Sequence, residues 1–527
     1  MSSPSTSSDT PAQKPAGQKP GLVASLGLFS ATAIVVGSMI GSGIFIVPAD
    51  ISRGVGSPAL LVGAWLVTAV MTIIGALSYG ELAAMMPGAG GQYIYLREAL
   101  GRIWGFLFGW TLFLVIQTGT IAAVAVAFGK FLGVFFPSVS TTNWVWHIGH
   151  VPAWKLGPMV LGNMDIGIST ANLAGIVIIL VLAVINVFGV RLGALVQNVF
   201  TTAKTAALLG LVILGVLFGR NIAAIHANFG ANFWHGAGWG TLHPVQVGVG
   251  GPMAMVGLLT ILAVVQTGSL FSADAWNNVT YTAGEVRNPK RNLPLSLALG
   301  TSVVLGLYIL ANFVYLLALP LHGDPHGATI AARGIQYASE DRVATAALQL
   351  IFSRAGAYLM AGAILISTFG CANGLTLAGA RVYYAMSRDG LFFKSAAKLH
   401  PRWHTPVAAL IVQAVWSCVL CISGSYGQLL DYIICTELIF YILTIACLFV
   451  LRAKRPQAER PYRAIGYPVL PAIYILMAAW ICIVLLRYKP QYTWPGLVIV
   501  LLGVPVFFVW SRSAIREPSP QAASAPE

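Results

Sequence analysis

Twelve apolar stretches dominate this sequence, near 25–50, 58–86, 103–129, 171–189, 193–219, 253–283, 294–319, 345–380, 406–423, 428–451, 466–486 and 494–511. Each reaches or exceeds roughly the 17–25 residues a helix needs to cross a hydrocarbon layer. Only 9% of the residues are charged, where a soluble domain carries about 25%, so one soluble domain or a string of them is excluded. The stretches mix Gly and Ala with Leu, Ile and Val. Small residues let helix backbones approach closely in lipid, and the ten-residue alternation of a membrane barrel is missing. The reading is an all-α integral membrane bundle of twelve transmembrane helices.

Charge placement gives the orientation. The net charge is +14, from 30 Lys+Arg against 16 Asp+Glu. With the N-terminus inside, 19 of the 30 fall on cytoplasmic segments and 9 on outer ones. Cytoplasmic loops collect Lys and Arg, so both termini are expected in the cytoplasm of a multi-pass cell-membrane protein. The basic residues lie at short loop ends, so the bilayer is the expected partner and nucleic acid is not. Residues 1–21 are polar and Pro/Ser-rich, without a signal-peptide core, and read as a disordered tail. A second polar tail covers 512–527. Two long loops, about 131–170 and 220–252, are expected to face outward.

Several chemistries drop out. The six cysteines (Cys371, Cys418, Cys421, Cys435, Cys447, Cys482) all lie in apolar stretches, leaving no disulfide framework and no loop zinc site. Cys418 and Cys421 form a C-x-x-C whose plainer reading is packing. The nine histidines show no metal-ligand spacing, and no Walker-type G-x-x-x-x-G-K-[ST] is present. No cofactor is expected, and ATP does not drive the protein. Asn278-Val-Thr280 matches a glycosylation sequon but lies inside an apolar stretch.

Two stretches are interrupted. The first contains Gly37-Ser-Met-Ile-Gly41-Ser-Gly43-Ile-Phe45; each glycine costs a helix interior about 1 kcal/mol. The sixth contains Ser272-Ala-Asp274-Ala-Trp276-Asn277-Asn278. Backbone freed at membrane depth cannot face lipid and must line a cavity or be bound. Both interruptions precede a proline-started helix, at Pro58 and Pro294. Interrupted helices at matching places in two halves point to an inverted-repeat transporter site. Half-helix N-termini there offer N–H groups to an anion and unwound carbonyls accept from a cation, a pair that fits carboxylate and ammonium on one carbon. The competing reading is close helix crossing at small residues.

These residues resemble a known family. Gly37–Phe45 is similar to the first-helix signature of amino acid permeases in the amino acid–polyamine–organocation superfamily, and nearest to the L-type amino acid transporters. The likeness continues through Ala76–Leu82 (ALSYGEL), Gly90-Gly91-Gln92-Tyr93, Phe271, Trp276-Asn277, Glu285–Pro294 (EVRNPKRNLP), Phe369-Gly370, Asn373-Gly374, Arg381, Ser387–Gly390, Thr405-Pro406-Val407 and Glu459-Arg460-Pro461. It implies a five-plus-five inverted repeat with discontinuous first and sixth helices. Helices one to five would occupy 22–220, an outer loop 221–252, helices six to ten 253–452, and two further helices 453–511. It also implies sodium-independent amino acid transport, often as exchange. Ile40, Gly41, Ser42, Gly43 and Ile44 would bind the substrate carboxylate. Carbonyls around Phe271, Ala273 and Asp274 would take the α-ammonium, with Phe271 as aromatic gate and Trp276 and Asn277 completing the site. The family's animal members pair with a glycoprotein through a loop cysteine that 131–170 lacks, so no disulfide-linked heavy-chain partner is expected. The family usually has Gly-Gly where this chain has Asp274-Ala275, and a neutral residue in place of Glu437.

With so few charges, those inside the bundle stand out. Lys204 lies in an uncharged stretch, where charge is expensive and functional as a rule; the resemblance sets it beside the first break, in place of the ion of sodium-coupled relatives. Asp274 has several readings: it holds a proton, pairs with Lys204, meets a cationic substrate side chain, or caps the half-helix after it. Glu437 is a second coupling candidate. Glu81 reads as structural or gate-forming, and Glu285–Arg291 as a cytoplasmic gate with Arg381 its candidate partner. The leading function is alternating-access exchange of neutral L-amino acids. The alternatives are proton-coupled or cationic amino acid or polyamine transport, then a transporter-like sensor or channel. A membrane enzyme would have only Asp274 and Glu437 to work with.

Overall fold

The computed structural model describes residues 22, 24–152, 154–156, 159–161, 164–248, 251–422 and 426–515. The expected tail at 1–21 lies outside them, as does most of the one at 512–527, although the last helix runs on to Ile515. The helices are α1 (Leu28–Met39), α2 (Gly43–Val55), α3 (Pro58–Met85), α4 (Gln92–Leu100), α5 (Arg102–Leu132), α6 (Thr170–Val187), α7 (Val190–Phe218), α8 (Leu258–Ser272), α9 (Asn278–Tyr281), α10 (Pro289–Ala318), α11 (Val343–Arg388), α12 (Val407–Ile422), α13 (Tyr426–Lys454), α14 (Val469–Tyr488) and α15 (Pro490–Ile515). Taking Leu28–Val55 as one unit, ten helices among the described residues are long and apolar enough to cross a membrane; α8 and α12 are apolar but shorter.

The chain is not helical throughout. The long loops hold three antiparallel hairpins: β1 (Trp144–Val151) with β4 (Met164–Ser169), β2 (Trp154–Leu156) with β3 (Met159–Leu161), and β5 (His243–Gln246) with β6 (Met253–Val256). The membrane bundle itself is all-helical, as expected, and the strands are confined to its loops; the start of the sixth apolar stretch is corrected, since 253–256 pair as strand and α8 begins at Leu258. Apolar residues next to a Gly-rich turn read as helix or strand equally well over so short a run. The eighth stretch is longer than expected, 46 residues, and bends at Phe352–Ser353.

Local chemistry sets the ends near the breaks. α2 stops at Gly56 in the left-handed region (φ 56°), which glycine adopts without a Cβ penalty. Pro58 then opens α3 at a position that needs no N–H. Asn288, also left-handed, and Pro289 start α10 in the same way. Ser169 caps α6 by accepting the Asn172 N–H at 3.1 Å. Small residues bring helices together: a Cβ on Gly175 of α6 would lie 2.9 Å from the Ala125 carbonyl of α5. α1 packs on α7 and α10, α2 on α8, and α8 on α13 and α14, so both breaks sit in the middle of the bundle.

Candidate functional site

Breaking a helix orphans carbonyls at the first half's end and N–H groups at the second half's start. At Ile40–Ser42, between α1 and α2, the carbonyls are nearly all taken. Lys204 of α7 donates Nζ to the Gly37 carbonyl, to Ile40 O at 2.8 Å and to Ser367 O at 3.3 Å. Ser367 of α11 donates its hydroxyl to Ile40 O and Gly41 O, each at 3.0 Å. Cys371 Sγ reaches Ser38 O at 3.0 Å, and Tyr308 of α10 donates to Met39 O at 3.0 Å. The N–H side differs. Among the described residues, no acceptor meets the amides of Gly41, Gly43 or Ile44.

The second break joins the first directly. A Cβ on Gly43 would overlap the Ser272 side chain and stand 3.0 Å from Ser272 Cα. Tyr308 ties the breaks together, its hydroxyl also lying 3.1 Å from Ser272 O. After Ser272 the chain turns through Ala273, with its N–H on Ser269 O at 3.0 Å, and Asp274, with its N–H on Phe271 O at 3.2 Å. Ala275 is left-handed (φ 62°), a conformation that costs a residue with a Cβ about 1–2 kcal/mol. It stands where the resembled family has glycine. The structure thus brings Gly43 against the end of α8 at Ser272, with Gly41 beside Cys371 of α11; Ile40, Ser42, Ile44, Phe271 and Ala273 are all buried.

Asp274, Trp276 and Asn277 turn elsewhere. The Asp274 carboxylate accepts from Tyr441 OH at 2.6 Å and from the Ala275 N–H, and lies within hydrogen-bonding reach of the Glu437 carboxyl. Asp274, Glu437 and Tyr441 line a small cavity with Thr72, Trp276 and Tyr474. Asp274 is 7% and Glu437 3% exposed, and Glu437 Oε2 has no hydrogen-bond partner. The pairing of Asp274 with Lys204 is therefore corrected: Lys204 binds carbonyls behind the first break, while Asp274 faces α13. Nor does Asp274 cap α9, whose N-cap position is Asn277. Trp276 meets Tyr79 edge-on at 4.7 Å and stacks on Tyr441 at 5.4 Å. Asn277 donates to Gln92 Oε1 and lies against Tyr281 OH, both at 3.0 Å.

Two further carboxylates are clamped at one end of the bundle. Glu285 pairs with Arg381 at 3.2 Å, both side chains 1% exposed, and its carbonyl accepts the Ser25 and Leu26 amides at 2.9 Å. Glu81 accepts from Arg452 at 2.6 Å and from the Ala464 N–H at 2.7 Å, with Arg460 3.4 Å away. Sequence reasoning missed Tyr308, Ser367, Cys371 and Tyr441. Each is one polar atom in an apolar stretch, indistinguishable there from a residue that satisfies its own helix.

A family model described as amino acid permease matches residues 26–510. Large neutral amino acids transporter small subunit 2 of Oryctolagus cuniculus is 29% identical over 510 residues, covering 96% of this chain and 84% of that protein. Serine/threonine exchanger SteT of Bacillus subtilis (strain 168) is 27% identical over 497 residues, covering 93% of this chain and 97% of that protein. b(0,+)-type amino acid transporter 1 of Mus musculus is 28% identical over 486 residues, covering 92% and 87%.

Proposed function

Because the chain belongs to the amino acid permease family, and within it to the L-type amino acid transporters, we propose that it exchanges neutral L-amino acids across the cell membrane by alternating access, without sodium. It is a multi-pass membrane protein of a transporter family, not an enzyme. The observation that carries the reading is the junction of the two breaks. Amides of Gly41, Gly43 and Ile44 without an acceptor lie beside the carbonyl end of α8. An α-carboxylate suits the amides, and carbonyls around Phe271 and Ala273 suit the α-ammonium. Phe271 serves as the gate over the bound substrate. Lys204 supports sodium independence, because its ammonium already occupies the carbonyl cluster that a cation would need. Twelve spans in two inverted repeats, 22–220 and 253–452, with both termini cytoplasmic, complete the proposed architecture. With no cysteine in 131–170, no disulfide-linked partner belongs to it.

The test is counterflow in proteoliposomes. Labelled neutral amino acid should enter saturably when unlabelled amino acid is trapped inside. Linear, non-saturating flux would overturn the carrier reading in favour of a channel, and no flux across the twenty amino acids would favour a sensor.

The acid pair supports a second reading, proton-linked transport. Two buried carboxyls in hydrogen-bonding reach share a proton more cheaply than they bear two charges. Around Asp274 and Glu437 the titratable groups are Tyr79, Tyr281, Cys371, Tyr441 and Tyr474, and among the described residues no basic side chain lines their cavity. A pH gradient alone driving uptake of an amino acid would favour this reading over pure exchange.

A further inference from the structure

A second cavity lies at the other end of the bundle from Glu285 and Glu81, around the start of α11. It has about 1190 Å³ of free space, part of it continuous with solvent. Among the described residues three guanidinium groups line it, from Arg333, Arg342 and Arg354, and no carboxylate does. Each arginine is held by one edge. Arg333 donates Nε to Gly327 O at 2.8 Å, and Arg354 donates Nε to Tyr358 OH at 3.0 Å. Arg342 donates Nη2 to Lys130 O at 2.7 Å and to Glu340 Oε2 at 2.8 Å. What is left over points to a ligand. The Arg342 Nε is buried without an acceptor, and Thr345, 6% exposed, has a hydroxyl with no partner. A buried donor left unmade is costly, and two of them line one basic cavity.

We propose that this cavity binds a phosphate group. Guanidinium forks match phosphate oxygens in pairs, and a hydroxyl supplies a further donor. The acids of the adjoining segment are paired: Glu340 is committed to Arg342 and Asp341 to Arg53 at 2.6 Å. The surroundings indicate an anionic phospholipid as the source. Tyr358 stacks on Phe135 at 5.5 Å, and Phe135, Phe136 and Leu359 are exposed apolar side chains. A headgroup phosphate in the cavity would leave its acyl chains along that apolar surface. The proposal is independent of which amino acid the protein carries.

The experiment titrates the detergent-purified full chain with phosphatidylglycerol, phosphatidylcholine and inorganic phosphate. Retained lipid is read by native mass spectrometry, and the thermal midpoint is followed alongside. Phosphatidylglycerol should bind saturably and raise the midpoint, with phosphatidylcholine weaker by about tenfold. Arg354→Gln and Arg333→Gln should each weaken phosphatidylglycerol about fivefold, since a basic residue near an anionic lipid is worth about that factor. Thr345→Val, which keeps volume, should weaken it by a smaller factor. Inorganic phosphate matching the lipid at equal concentration would assign the site to a free anion and overturn the lipid source. Equal binding of both lipids, or unchanged binding in the Arg333→Gln/Arg354→Gln double variant, would overturn the site itself. A double variant that elutes aggregated is replaced by Arg354→Lys, which keeps the charge and loses the fork; binding at wild-type strength there overturns the paired geometry.

Discussion

The two helix breaks meet at Gly43 and Ser272 but satisfy their freed groups in opposite ways. At the first break, neutral backbone is met by one cation and three hydroxyl or thiol donors from α7, α10 and α11. At the second, the chain carries its own charge, and Asp274 turns away from the junction toward a second acid on α13. A break whose carbonyls are filled by side-chain donors is fixed by the helices around it. A break that leads into two carboxyls has a variable state, because a proton can enter or leave. On the proposed reading, then, the first break would bind the substrate's fixed groups, and the second would carry whatever distinguishes this chain.

The largest expected effect tests the fixed side. Lys204→Ala removes a donor from the Gly37, Ile40 and Ser367 carbonyls, of which Ile40 O keeps the Ser367 hydroxyl; a buried acceptor left unmade costs about 1–3 kcal/mol. Counterflow should fall below detection while the protein still elutes as a folded species with a lowered thermal midpoint. Wild-type uptake from this variant would remove Lys204 from the mechanism and with it the contrast between the breaks.

Next comes the variable side. Glu437→Gln and Asp274→Asn keep shape and remove one ionisable group each. Both should flatten the pH dependence of uptake, or change the preference for charged substrates, with folding retained. An unchanged pH profile and substrate range in both variants would make the acids structural, and the two breaks would then differ in polarity only. A smaller effect belongs to the link between them. Tyr308→Phe strips the hydroxyl that reaches Met39 O and Ser272 O, which should lower stability by about 1–3 kcal/mol and raise KM more than it lowers turnover. Turnover falling with KM unchanged would show that Tyr308 does not hold the two halves of the site in register.

The contrast was only half legible in the sequence. Glycines at 37, 41 and 43, and an Asp among Asn residues at 274–278, break helical pattern by residue type alone, so both interruptions could be read directly. Lys204 and Glu437 also stand out as charges in apolar runs, although a lysine can snorkel to the interface and a glutamate can be paired or reach water. Direction could not be read. Whether Asp274 faces Lys204 or Glu437 depends on which way the chain turns after Ser272, and that turn is set by Ala275 in the left-handed region, where no pattern announces an alanine. Tyr308 and Ser367 stayed hidden for a related reason: their partners are backbone carbonyls far along the chain, which carry no residue signature. The hairpin at 253–256 was lost because four apolar residues look the same in strand and helix.

Ala275 also gives the smallest effect. Its left-handed backbone costs about 1–2 kcal/mol, whereas glycine there is unstrained but loses about 0.4–1 kcal/mol through the freer unfolded chain. Ala275→Gly should therefore be neutral or stabilising by up to about 1.6 kcal/mol, read as an unchanged or slightly raised thermal midpoint. The same change frees the peptide that presents its N–H to Asp274, so any effect on transport should appear in the pH profile and leave the binding of neutral substrate alone. A lowered midpoint would mean that the buried methyl group packs better than the backbone suffers. Weakened neutral-substrate binding with an unmoved pH profile would mean that the turn serves the first break, and the division of labour between the two would fail.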